Sequence, residues 1–198
     1  MTGDAERQFV KEELGYEDGA PVFCEPYKQW ILEDNFPSGR PALERVGVQF
    51  VPDVKPYELM KIRILNGAHA ALCYAAALLE LKHVHDAMDH PVISAFLDCV
   101  QRNEVIPSIP PVPDTDLYDY WELIQARFGN PMIADSIDRI CFDGASRQPK
   151  FIIPPVAENL RDGRSIDGLA LVSAMWCRYC QGRAESGRKF EPNDPTWD

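Results

Sequence analysis

The sequence predicts a mainly helical domain with one or two short strands near its amino terminus. Three observations carry that expectation. A long apolar run with helix-start signals spans residues 56–81, later stretches repeat apolar residues at helical spacing, and within residues 21–50 only the run from Val46 to Val51 alternates as a strand does.

The chain is organised around the first of these. Asp53 is a candidate N-cap, Pro56 falls in the first turn, and Glu58 adds negative charge near the positive end of the helix dipole. Leu59, Met60, Ile62, Ile64, Leu65, Leu72 and a series of alanines make the rest apolar on nearly every side, which is the composition of a buried helix. Glu58, Lys61, Asn66 and His69 break that pattern. At about 100° per residue, with Lys61 at zero, Glu58 falls near ~60°, His69 near ~80° and Asn66 near ~140°. Burying an unpaired charge is costly. Polar groups confined to one face therefore either line a cavity or satisfy one another, with Glu58 and Lys61 as an i,i+3 ion pair.

The remaining elements follow in order. Residues 1–20 are polar and acidic and are expected to be loosely ordered, so the domain proper is placed at 21–198. His83-Val84-His85 and Asp89-His90-Pro91 mark a turn, after which a second helix is expected from Pro91 to about Val105. Four prolines between Ile106 and Asp114 exclude a helix there and predict a stiff extended connector. A third helix is expected over Leu117 to Phe128, closed by Gly129. A fourth is expected from the Asn130-Pro131 start to about Phe142. A short helix in Phe151 to Arg161 and a core helix from Ile166 to Tyr179 precede a polar tail.

Composition narrows the function classes. With 20 Lys+Arg against 31 Asp+Glu, the net charge is −11, which argues against nucleic acid and anionic membrane surfaces as partners. No apolar leader opens the chain and no run is long enough to span a bilayer, so a soluble cytoplasmic protein is expected. The six cysteines lie mostly in apolar helical patterns, as reduced core thiols do. Cys177-Arg178-Tyr179-Cys180 is a lone C-x2-C, and His83, His85 and His90 lie close in sequence. A structural zinc needs four ligands at loop-like spacing, so no metal site is expected.

The spacing Lys61-x4-Asn66-x2-His69, inside P-Y-E-L-M-K-I-R-I-L-N-G-A-H, resembles the signature of the polyol-specific long-chain dehydrogenase/reductase family, which includes the mannitol 2-dehydrogenases. Upstream, Q-W-I-L-E-D-N-F-P-S-G-R-P-A-L-E-R-V-G-V-Q-F-V-P-D-V is similar to the segment preceding that helix in the family. Downstream, D-R-I-C-F-D-G-A-S-R-Q-P-K-F-I resembles another of its blocks. The three blocks occur in order, and the likeness covers roughly residues 20 to 195. It implies the helical substrate domain of such an enzyme, akin to the carboxy-terminal domain of 6-phosphogluconate dehydrogenase.

The resemblance also implies roles. Lys61, shielded from water and with a depressed pKa, would take the hydroxyl proton of a polyol. Asn66 would hydrogen-bond the developing oxyanion, and His69 would hold a neighbouring hydroxyl. Arg139 would reach the substrate; on the residues alone it is equally a helix-face partner of Asp135 or Asp138. Glu58 would relay protons unless it is a structural partner of Lys61. The family works without a catalytic metal and takes NAD or NADP on an amino-terminal Rossmann domain.

No G-x-G-x-x-G occurs in this sequence. The Rossmann domain is therefore expected to be absent, the chain alone inactive, and a Rossmann domain or subunit its required partner. The small-molecule substrate is a polyol or ketose, with mannitol and fructose the first expectation and sugar acids the relatives' alternative. The competing expectation is a non-catalytic polyol-binding or interaction module that keeps the fold.

Overall fold

The run at residues 56–81 folds as one continuous helical rod in three parts. They are α2 (Lys55–Met60), a π-helical segment π1 (Lys61–Asn66) and α3 (Gly67–Leu78), with helical backbone angles at both joints. The computed structural model describes residues 3–196. The chain divides into two units, one ending at Trp30 and one starting at Ile31.

The first unit holds α1 (Asp4–Leu14), closed by Gly15 in the left-handed conformation at φ 75°. This corrects the expectation of a loosely ordered start. Glu6 accepts the backbone N–H of Gly3 at 2.8 Å, and Arg7 pairs with Asp4 at 2.8 Å, so the polar residues serve as the helix's own cap and surface.

In the second unit, β1 (Ile31–Glu33) and β2 (Gln49–Val51) form a parallel pair with Ile31 opposite Gln49 and Glu33 opposite Val51. The rest is helical: α4 (Val84–Asp89), α5 (Pro91–Val100), α6 (Leu117–Phe128), α7 (Ile137–Cys141), α8 (Gly144–Arg147), α9 (Ile153–Arg161) and α10 (Asp167–Tyr179). α3 lies at the centre and packs on α5, α7 and α10. Its alanines let those neighbours approach closely: Ala68, Ala70, Ala71, Leu72, Cys73, Tyr74 and Ala76 are all essentially buried.

Two more π-helical segments occur, π2 (Gln101–Val105) continuing α5 and π3 (Gln148–Ile152) leading into α9. Both pack against π1. Each of the three contributes a buried polar side chain, and Arg63, Glu104 and Gln148 tie them to the surroundings. Glu104 accepts the N–H groups of Gly168 and Leu169, both at 2.8 Å, satisfying the exposed donors at the start of α10. Buried Asn159 donates to the Glu104 carbonyl at 2.8 Å.

Several boundaries differ from the sequence expectation. The fourth helix begins at Ser136, whose hydroxyl accepts the Arg139 N–H at 3.2 Å, and not at Asn130. The Asn130 side chain accepts Met132 N–H at 3.0 Å and closes a turn instead, and Ala134 at φ 48° breaks any helix through this stretch. The proline-rich connector opens with a 3-10 turn at Ile106–Ser108 and buries Ile106, Ile109 and Val112. Of the cysteines, only Cys73 and Cys141 are buried, while Cys24, Cys99 and Cys177 are exposed. Of these three, Cys99 and Cys177 fall on outer helix faces, against the expectation of core thiols, and Cys24 lies outside any helix or strand.

Gly144 fixes how closely α8 approaches the core. A Cβ there would lie 2.4 Å from Trp176 Nε1 and 2.6 Å from the Tyr74 hydroxyl. Overpacking of this kind costs about 1–3 kcal/mol, so Gly144→Ala should lower the urea midpoint of unfolding without changing the slope. An unchanged midpoint would show that the two side chains yield freely.

Candidate functional site

α3, π1, α7, α8 and π3 enclose a cleft of about 430 Å³, lined among others by Asn66, His69, Arg139, Asp143, Ser146, Arg147 and Lys150. One wall comes from the central rod, the other from the block Asp138–Phe151.

π1 explains how the rod presents its polar residues. A π turn takes up one residue more than an α turn, about 100° of rotation. The spacing of Lys61, Asn66 and His69, i, i+5 and i+8, therefore reads as i, i+4 and i+7, which is a single helix face. The broad arc drawn from regular α geometry closes to a narrow stripe. Asn66 and His69 line the cleft. Lys61 and Glu58 lie toward the amino-terminal end of the stripe, both exposed, and no ion pair joins them. The shielding expected around Lys61 is not supplied by this chain, because no described element buries its side chain.

His69 stacks on Phe128 of α6, with ring centroids 4.2 Å apart and planes within 4°. Its pKa is pushed down to about 4, first by burial, with Arg139, Arg147 and Arg127 adding to the effect and Asp135 opposing it. The ring is neutral at pH 7 and can both donate and accept. In the unfolded chain an imidazole titrates at its ordinary value of about 6.5. The stability is therefore present above that pH and is lost as pH falls toward 4, by up to about 3 kcal/mol. Urea unfolding at pH 7 and pH 4.5 should show this loss in the wild type and a smaller one in His69→Gln. Equal losses would mean that His69 titrates normally.

Arg139 is held by Asp135 through two hydrogen bonds, Nε to Oδ1 at 2.6 Å and Nη2 to Oδ2. The arginine is exposed while Asp135 is mostly covered, with 16% of its side chain accessible. Asp135 raises the Arg139 pKa further, so the guanidinium stays charged and keeps Nη1 for a ligand. Arg139 is thus paired with Asp135, just before its helix, and also lines the cleft.

The sequence reading missed Arg147, Lys150, Asp143 and Ser146. Arg147 donates to the Ile140 carbonyl at 2.6 Å, tying α8 to the end of α7. Asp143 adopts φ 60° between the two helices, a left-handed conformation that non-glycine residues enter at a cost. The tail supports this wall: Asp194 accepts Ala145 N–H at 3.0 Å, and Asn193 donates its side-chain amide to the Asp138 carbonyl at 2.8 Å. These residues stand inside the downstream block that carries the family resemblance, which was the signal available.

The strands do not form a nucleotide cradle. Neither β1 nor β2 is followed by a glycine-rich turn into a helix, so the described residues do not fit a dinucleotide. Among them, one group of possible metal ligands converges, His83, His85 and Asp86; His90, Cys177 and Cys180 do not join it. Among the described residues no helix is long and apolar enough to cross a membrane.

Comparison with known proteins identifies the family and the fold. The family model for the mannitol dehydrogenase C-terminal domain matches residues 53–198. A mannitol 2-dehydrogenase of Cereibacter sphaeroides is 55% identical over 99% of this chain and 41% of its own length. A mannitol dehydrogenase of Saccharomyces cerevisiae is 43% identical over 97% of this chain and 38% of its own. Among solved structures, Pseudomonas fluorescens mannitol 2-dehydrogenase in a ternary complex with NAD and D-mannitol superposes with a TM-score of 0.87 at 45% identity, covering 98% of this chain and 40% of that one. A substrate-free D-sorbitol dehydrogenase gives 0.93 at 31% identity, covering 100% and 41%. The chain spans about two fifths of the length of these relatives.

Proposed function

Because the chain belongs to the mannitol dehydrogenase C-terminal domain family, we propose that it is the substrate-binding and proton-handling domain of an NAD-dependent polyol dehydrogenase that interconverts D-mannitol and D-fructose. The observation that carries this reading is Asn66 and His69 lining one cleft with Arg139, with the exposed Lys61 farther along the same helix face.

The chain's own residues divide the work. Asn66 donates its amide N–H to the substrate oxygen that gains negative charge as its proton leaves, the electrostatic assistance of an oxyanion site. Neutral His69, fixed flat on Phe128, holds an adjacent hydroxyl as donor or acceptor. Arg139, kept in place by Asp135, offers its remaining N–H groups to hydroxyls farther along the polyol. Lys61 accepts the hydroxyl proton as the amine and returns it as the ammonium in the reverse direction. Glu58, one turn away, passes that proton to water. No described residue of this chain would hold the nicotinamide, which, bound elsewhere, would supply the hydride acceptor.

Lys61 works as a base only if it is desolvated. Since it is exposed here, the part that brings the nucleotide must also cover it.

The test joins this chain to the nucleotide-binding portion of the Cereibacter relative in place of that protein's own carboxy-terminal region. NADH oxidation with D-fructose is expected from the chimera, and none above a Lys61→Ala control from the 198-residue chain alone. A folded chimera that stays inactive, or an active isolated chain, would overturn the reading.

A further inference from the structure

The start of α4 gathers a second set of side chains outside the cleft. His83 precedes the helix with extended backbone at φ −125° and ψ 161°, so its ring and that of His85 emerge on the same side. The rings stack with centroids 5.1 Å apart and planes 9° from parallel. Asp86 lies against both: Oδ2 is 3.3 Å from His83 Nδ1, and Oδ1 is 3.5 Å from His85 Nε2. The ligand atoms of all three residues lie within 4.8 Å of one another.

We propose that His83, His85 and Asp86 form a binding site for a divalent transition-metal ion of the zinc type. Zinc takes imidazole nitrogen at about 2.0–2.1 Å and carboxylate oxygen at about 2.0–2.2 Å, so neighbouring ligands around a tetrahedral centre stand roughly 3.3–3.5 Å apart. Each imidazole already stands at that separation from one carboxylate oxygen, His83 from Oδ2 and His85 from Oδ1, so a turn of the carboxylate is needed for a single oxygen to serve the ion. The two ring nitrogens have to draw together, and His83, with 38% of its side chain accessible, is free to rotate toward its partner. Two imidazoles with one carboxylate select zinc, cobalt or nickel over magnesium or calcium, which prefer all-oxygen shells. Three protein ligands leave at least one position to water. The C-x2-C and four-ligand templates applied to the sequence describe closed structural sites and pass over a site of this open kind.

The site has a direct link to the cleft. Val84 N–H donates to the Asp135 carbonyl at 2.9 Å, and His83 bridges to Ser136 across the same contact. Asp135 is the residue that clamps Arg139. An ion on His83 and His85 therefore braces the segment that sets the position of the cleft's arginine.

The test uses the untagged, metal-free chain titrated with Co2+, and it reads metal directly, so its outcome is independent of any dehydrogenase activity. One ion per chain is expected, with d–d absorption bands, no thiolate charge-transfer band, and displacement by Zn2+. His83→Ala and His85→Ala should each weaken Co2+ binding by about 100-fold or more, at or beyond the loss seen when only a supporting partner of a ligand is removed. Circular dichroism checks that both variants stay folded. Absence of stoichiometric binding, affinity unchanged in both variants, or a thiolate band pointing to Cys177 and Cys180 would each overturn the proposal.

Discussion

Replacing Lys61 with alanine in the complete enzyme is expected to cut turnover by about 10²–10⁴-fold, the range for loss of a positioned general base. Polyol affinity should change far less. On the proposed reading hydroxyl recognition rests on Asn66, His69 and Arg139, which line the cleft, whereas the exposed Lys61 does not line it. Steady-state kinetics with D-mannitol, combined with fluorescence titration of substrate binding, separates the two effects. A variant with turnover near wild type would remove Lys61 from the mechanism. A variant with weakened binding and unchanged turnover would make it a substrate contact.

The second large effect is structural. Arg63 sits in the middle of π1 with 5% exposure. It donates to both carboxylate oxygens of Glu158 at 2.5 and 2.6 Å, and to the carbonyl and hydroxyl of Ser108 at 2.5 and 3.1 Å. Removing one partner of a buried pair strands the other and costs about 3–5 kcal/mol. Glu158 keeps 30% of its side chain accessible, so water can reach it and the lower end of that range applies. Arg63→Met is therefore expected to destabilise the chain by about 3 kcal/mol. The double variant Arg63→Met, Glu158→Met should recover much of the loss, because no charge is then left without its partner. Urea unfolding of the two variants measures both quantities. A single variant within experimental error of wild type would mean that the pair does not hold the wide turn in place.

Much of this architecture is legible in the sequence. Leu117–Phe128 reads as a helix closed by Gly129, and the structure keeps those bounds and adds Asp116 as the N-cap. The central rod is legible from its alanines and apolar residues. Its polar stripe is legible as a pattern, but the geometry behind it is not. A π turn replaces i→i+4 hydrogen bonding by i→i+5, and no residue type marks where that happens. Angles drawn from α geometry therefore spread the four residues too widely.

The second wall of the cleft was hidden for another reason. Arg147 and Lys150 stand on two short consecutive elements that follow a left-handed Asp143, where no periodicity assigns a face. The false helix start at Asn130 has a similar origin: an Asn-Pro pair suits a helix start and a turn equally, and the backbone of Ala134 decides between them. Exposure of Lys61 lay beyond reach as well, because what covers a side chain depends on segments outside the helix that carries it.

The wide turn in the central rod also acts as a ruler. It sets the separation between Lys61 and the Asn66–His69 end of the stripe, to which the proposal gives the proton and the neighbouring hydroxyls. One residue of helical rise is about 1.5 Å, close to a single carbon–carbon bond at about 1.52 Å. Deleting one residue between Lys61 and Asn66 would restore an ordinary helix with the same face toward the cleft and shorten the gauge by one carbon. On the proposed function, the length of the turn is then a means of selecting which carbon of a sugar alcohol meets the base.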